Sequence, residues 1–254
     1  MSPGESRPSE ALTVGSPSRA PLYKEVKRSL MKSLAAGEWK PGQAIPSERE
    51  LAARFQVAIG TLRKAIDELT AENILVRQQG RGTFVAAHNQ DRLMFYFFHI
   101  VRKNGGKEYP KVETLSFAKG RADAVEAAKL GLERDAPVFR IVNRLSIGGE
   151  PVIIDHVAIP QRLFPRLTAR QFERRPNTIY HLYQTAFAVT VVRSSERLAA
   201  VSADGATAKR LNIAAGTPLL EIRRVALTYN EAPVEYRRSL VHTAHFEYFS
   251  ELGG

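Results

Sequence analysis

A chain of 254 residues exceeds one minimal module, so two domains are expected. With 44% hydrophobic and 25% charged residues it is neither disordered nor fibrous overall, and the absence of cysteine excludes disulfides, thiol nucleophiles, iron–sulfur clusters and thiolate zinc sites. A net charge of +11, spread over both halves, favours a polyanionic partner, nucleic acid or an acidic membrane surface.

Residues 1–20, rich in Ser, Pro and Gly without apolar periodicity, read as a disordered tail. They lack the apolar stretch of a secretory signal, and no run approaches the roughly 18 to 20 apolar residues of a membrane span, so a cytoplasmic protein with no membrane partner is expected. Leu22, Val26, Leu30 and Leu34 recur every fourth position, predicting an amphipathic helix that stops at Gly37. Trp39, Pro41 and Gly42 then read as a loop. Ser47-Glu48-Arg49-Glu50 spells a capping box and opens a short second helix with Leu51 and Phe55 facing in.

From Ala58 to Glu72, Leu62, Ile66 and Leu69 share one stripe, with Arg63, Lys64 and Asp67 away from it, predicting a third helix. Two helices joined by a few residues, the second with outward cations, outline a helix-turn-helix. Two β-prone runs, Ile74 to Arg77 and Thr83 to Ala86, flank a Gly80-Arg81-Gly82 turn and complete a winged helix. Each feature alone has a bland explanation, since capping boxes and Arg-Lys pairs are common on solvated helices. Their order and spacing carry the reading.

The runs PLYKEVKRSL, G-x-W-x-PGxxIPSERELAxRF, TLRKAIDEL and VRQQGRGTFV, over residues 21–86, resemble the N-terminal domain of GntR-family bacterial transcription regulators. The resemblance implies DNA contacts from Arg49, from Thr61, Arg63 and Lys64 on the recognition helix, and from Gly80, Arg81, Gly82 and Thr83 at the wing tip. Where relatives commonly carry a Ser-Arg pair before the recognition helix, this chain has Ala58-Ile59, which removes a preferred N-cap and an implied DNA contact.

The second half contains a duplication. AAKLGLERDAPVFRIVNRLSIGGEPVIIDHVAI and TAKRLNIAAGTPLLEIRRVALTYNEAPVEYRRSLV share the order helix, Leu-x-Leu/Ile, Pro, strand, turn, Pro-Val, strand. Leu130, Leu132 and Pro137 fall opposite Leu211, Ile213 and Pro218, and a longer second turn then brings Pro151-Val152 opposite Pro233-Val234. Two copies of a helix plus a hairpin predict an α+β sheet domain of pseudo-twofold symmetry with a cleft where the copies meet. By alternation Phe139, Ile141, Leu145 and Ile147 suit the core and Arg140, Arg144 and Ser146 take the other parity. Glu235, Arg237 and Ser239 share a face, with Asp155 equivalent to Arg237. Such arginines and carboxylates suit either a small anionic or zwitterionic ligand or plain cross-strand pairing.

Residues 89–254 resemble the UTRA effector-binding domain of the HutC subgroup of GntR regulators. The residues that carry this are Arg144 to Val152, Ile159-Pro160 with Leu163-Phe164-Pro165, the segment from Thr178, and Pro233 to Tyr236. The resemblance implies a chorismate-lyase-like (UTRA) sheet domain that dimerises and binds a metabolite, with Arg144, Ser146, Asp155, Thr178, Glu235 and Arg237 as ligand candidates. Ser146 stands where some relatives have the second arginine of a sugar-phosphate pair. His99, before the loop from Lys103 to Gly106, is near a small polar contact of relatives.

The domains are therefore expected as a tail over 1–20, a winged helix over 21–87 and a UTRA-like domain over 88–254. No nucleotide, hydrolase or zincin motif occurs, and His242-x-x-His245 lacks a third ligand, so neither metal nor cofactor is expected. The expected function is a homodimeric, sequence-specific transcription regulator, a repressor, that binds operator DNA under control of a small anionic or zwitterionic effector. The alternative is an enzyme or carrier for a small acid with an appended winged helix.

Overall fold

The computed structural model describes residues 21–88, 97–104, 108–176 and 178–250; the expected tail and most of the loop after Lys103 lie outside them. The first helix, α1 (Leu22–Ala35), buries Val26, Leu30 and Leu34, and Gly37 just beyond it takes φ +74° while its N–H returns to the Leu34 carbonyl. The following loop does more than connect. Ile45 N–H donates to the Thr83 carbonyl and Val85 N–H to that of Gln43, so the loop borders the wing, and Trp39 and Ile45 are buried in the domain core.

Both bonds of the Ser47–Glu50 capping box form at the start of α2 (Glu48–Phe55). Gln56 then takes a left-handed conformation, and α3 (Ile59–Ala71) packs Leu62, Ala65, Ile66 and Leu69 inward. Its N-cap, Ala58, supplies no side-chain acceptor, and its extended backbone already suits a capping hydroxyl. Ala58→Ser should therefore stabilise the winged helix by about 0.5–2 kcal/mol, read as a raised urea midpoint in Trp39 fluorescence. The wing pairs β1 (Leu75–Gln78) with β2 (Gly82–Val85), and Gly80 and Gly82 take φ of +71° and +109° in its turn.

In the second half the repeat is larger than its hairpins. Each copy begins with a long strand, giving β4 (Lys111–Arg121), α4 (Ala124–Leu130), β5 (Pro137–Ile147) and β6 (Glu150–Pro160) in the first. The second copy, after two intervening helices, α5 (Ala169–Glu173) and α6 (Ile179–Phe187), is β7 (Arg193–Ser202), α7 (Gly205–Leu211), β8 (Pro218–Leu227) and β9 (Pro233–Val241). Equivalent aspartates, Asp123 and Asp204, cap the two helices, and Gly131 and Asn212 end them in left-handed conformations. The six strands form one antiparallel sheet in the order β4-β5-β6-β9-β8-β7, with the pseudo-twofold between β6 and β9.

Both faces of this sheet are covered. On one, α4 packs on Val138, Ala158 and Tyr236, and α7 on Ile154, Leu219 and Leu240. On the other, α6 covers Phe139, Ile141, Val157 and Ile159. The rest of that face lies under a ribbon of β3 (Ile100–Arg102) and β10 (Phe246–Tyr248), which packs on Leu145, Ile153 and Ile222. Between α6 and the ribbon the central strands are open. The longer turn of the second copy carries Tyr229, which with Val192 packs into the core of the winged helix and joins the two domains. Among the described residues no helix is long and apolar enough to cross a membrane.

Candidate functional site

The winged helix presents a cationic face built from α2, α3 and the wing. Arg49, Arg63 and Arg81 are exposed. Arg63 Nε donates to Glu48 at 2.9 Å, and Glu48 also accepts from Arg77 at 3.1 Å, whose other terminal nitrogen is 2.5 Å from Asp67. Glu48 thus ties the start of α2 to the recognition helix and the wing while leaving the Arg63 side chain 57% exposed. Thr61 is partly buried in the first turn of α3, and Gly80, Arg81, Gly82 and Thr83 form the wing tip, with the Arg81 guanidinium 5.9 Å from the Phe84 ring. Lys64, also exposed, holds its ammonium 4.2 Å over the Tyr23 ring of α1. Arg77, which sequence reasoning passed over, belongs to this face.

In the second domain a cavity of about 260 Å³ opens between α6 and the β3–β10 ribbon, over the junction of the two copies. Alternation places Asn143 of β5, Asp155 of β6, Arg224 of β8 and Arg237 and Ser239 of β9 on its floor. Asp155 and Arg237, equivalent in the repeat, bond each other across the twofold, Arg237 Nη1 donating to Asp155 at 3.1 Å while Ser239 donates to its other oxygen at 2.6 Å.

Beneath this pair lies Glu235, with no exposed surface. It accepts from Tyr183 at 2.8 Å, Tyr180 at 3.2 Å and Arg237 Nε at 2.9 Å. Arg237 Nη2 is equally near that oxygen but is not aligned with it and makes no hydrogen bond among the described residues. Burial, reinforced by the Glu235 charge, pushes the Tyr180 hydroxyl up to about 12 and Tyr183 well above its ordinary value, so both remain protonated donors.

The sequence candidates divide accordingly. Asp155, Thr178, Arg237 and His99 line the cavity, Thr178 also capping α6 by accepting from His181 N–H at 3.1 Å. Glu235 is one layer below. Arg144 and Ser146 are a correction: their parity puts them across the sheet, where Arg144 pairs with Glu113 of the adjacent strand at 2.6 Å, the cross-strand role that alternation also allowed. Sequence reasoning missed Arg224 and Arg175. Arg224 follows from the repeat, being equivalent to Asn143, whereas Arg175 lies between α5 and α6, outside it. Burial, with the nearby Arg237 charge, pulls the Arg175 guanidinium below its ordinary value.

One element joins cavity and DNA-binding half. The α6 helix gives Ile179 and its cap Thr178 to the cavity wall and Tyr180 to the layer below, and it holds the segment leaving the wing. Gln184 accepts from His88 N–H at 2.9 Å, His181 Nδ1 bonds the His88 carbonyl at 2.9 Å, and His88 Nε2 meets the Val191 carbonyl at 2.8 Å.

Family models match both halves: bacterial regulatory proteins of the gntR family over residues 22–85, and the UTRA domain over residues 105–247. The chain belongs to the GntR family and carries a UTRA domain. Among its GntR relatives, the histidine utilization repressor of Klebsiella aerogenes is 30% identical over 211 residues, 81% of this chain and 84% of the relative. The "Probable fructoselysine utilization operon transcriptional repressor" of Escherichia coli (strain K12) is 29% identical over 222 residues, 84% of this chain and 87% of the relative. The ligand-binding domain of a GntR-family regulator from Bordetella bronchiseptica superposes with a TM-score of 0.61 at 31% identity, covering 63% of this chain and 99% of that one. These GntR and UTRA matches name transcriptional regulators, not enzymes, and the chain is a transcription regulator with a DNA-binding helix-turn-helix.

Proposed function

We propose that the protein is a homodimeric repressor whose winged helix, residues 21–87, binds operator DNA and whose domain from residue 88 onward senses a small anionic or zwitterionic metabolite in the cavity. Each α3 enters the major groove of one half-site, Arg63 reads base edges, and Arg49, Thr61 and the wing from Gly80 to Thr83 contact backbone phosphates. The observation that carries the reading is α6, which borders the cavity at one end and holds His88 along its side. A ligand that draws α6 toward the cavity repositions the segment leaving the wing, and it controls DNA binding to the extent that it prefers one of the two arrangements. The repressor names of the curated relatives support the direction of control.

The test is binding of the full chain to its own promoter region at physiological salt. A preference of at least 10³-fold over random DNA, with two chains per site by sedimentation, is the expected result. Equal affinity for both DNAs would overturn the reading.

A further inference from the structure

We infer that the cavity takes a small monocarboxylate with an apolar body, its carboxylate held by Arg175; this rests on the effector-site reading above. Three arginines line the cavity, and two have their charge matched within the protein. Arg224 is paired with Glu196 and also donates to the Phe97 carbonyl. Arg237 lies between Asp155 and Glu235. Arg175 faces no carboxylate among the ion pairs of the described residues. Its Nη1 donates to the Phe172 carbonyl at 2.5 Å, its guanidinium stacks 4.4 Å from the Phe172 ring, and its Nε has no hydrogen-bond partner. Arg175, a half-buried cation with no carboxylate partner among the ion pairs of the described residues, therefore borders the space. A carboxylate brings that cation a single charge and two acceptor oxygens whose geometry a guanidinium matches.

The rest of the lining selects the body. Phe97, Ile100, Leu145, Ile153 and Ile222 offer apolar surface to that body. The dianion of a phosphate monoester would bring two charges to the one arginine without a carboxylate partner, beside Asp155 and Glu173 on the same walls. A volume of about 260 Å³ sets the size below that of most drug-like sites.

The experiment is titration calorimetry of the full chain with monocarboxylates from 3-methylbutanoate to trans-cinnamate and 3-phenylpropionate. The controls are 3-phenylpropionamide, glucosamine 6-phosphate and inorganic phosphate, and each probe is repeated on Arg175→Gln and Arg175→Lys. Expected are carboxylate binding at least 30-fold tighter than the amide, a loss of at least 30-fold in Arg175→Gln, and partial recovery in Arg175→Lys. Without ligand, Arg175→Gln should keep the circular dichroism spectrum and promoter affinity of wild type, which separates lost binding from lost folding. Tighter binding of the sugar phosphate, or carboxylate affinity unchanged in Arg175→Gln, would overturn the inference while leaving an effector site in place. If no probe of either class binds or alters promoter affinity, both the inference and the effector reading fail.

Discussion

Arg63→Ala is expected to weaken binding to the promoter site by at least 10-fold per half-site and to bring it toward the affinity for random DNA. A bidentate arginine contact to a base edge is worth about 1–3 kcal/mol of discrimination, and the proposed dimer would make it twice. Arg63 suits this role because Glu48 holds its Nε, which fixes the side chain while the far edge of the guanidinium stays open. Arg81→Ala at the wing should instead weaken specific and random DNA alike and lower the salt dependence by about one released counterion per half-site. Fluorescence anisotropy with both DNAs at several salt concentrations separates the two patterns. Undiminished specific binding by Arg63→Ala would remove α3 from base reading. Lys64→Ala should show the smaller effect of a lost contact with Tyr23.

Glu235→Ala should destabilise the effector domain by about 3–5 kcal/mol, because removing one partner of a buried charge network strands the others. Arg237 would keep only Asp155, and the Tyr180 and Tyr183 hydroxyls would lose their acceptor in a fully buried layer. Trp39, the single tryptophan, lies in the core of the winged helix, so urea unfolding can be followed there by fluorescence and over the whole chain by circular dichroism. The circular dichroism midpoint should fall more than the fluorescence midpoint. Glu235→Gln, which keeps acceptor and donor atoms but loses the charge, should cost less. A variant as stable as wild type would show that the layer beneath the cavity is not a coupled network.

What could be read from the sequence was local or repeated. The capping box at Ser47 involves residues three apart, and the wing turn needs glycine at positions of positive φ, so both signals sit in adjacent letters. The duplication was visible because each copy keeps its leucines and prolines in step, and the Asp155–Arg237 pair follows from it. The opening strands β4 and β7 escaped because they are the two edges of the sheet. Their half-exposed faces carry polar residues such as Glu113, Lys119 and Arg197, which blur apolar alternation.

Arg144 was misplaced for a related reason. Alternation says which residues share a face, but in a sheet covered on both sides it does not say which face holds the cavity. The placement of Arg175 depends on how the α5–α6 segment folds over the sheet, and no neighbouring letter or repeat records that. Nor does any sequence signal tell that Lys64 rests on Tyr23 of another helix.

The central claim is that the cavity and the operator site are two ends of one equilibrium, joined through α6 and His88. Its most direct test is to measure the affinity of a cavity ligand with and without saturating operator DNA, and operator affinity with and without saturating ligand. Linkage requires the two factors to be equal, and a coupling of 5- to 150-fold, about 1–3 kcal/mol, with each partner weakening the other, is the predicted result. Two affinities that ignore each other, with both sites occupied at once, would contradict the account.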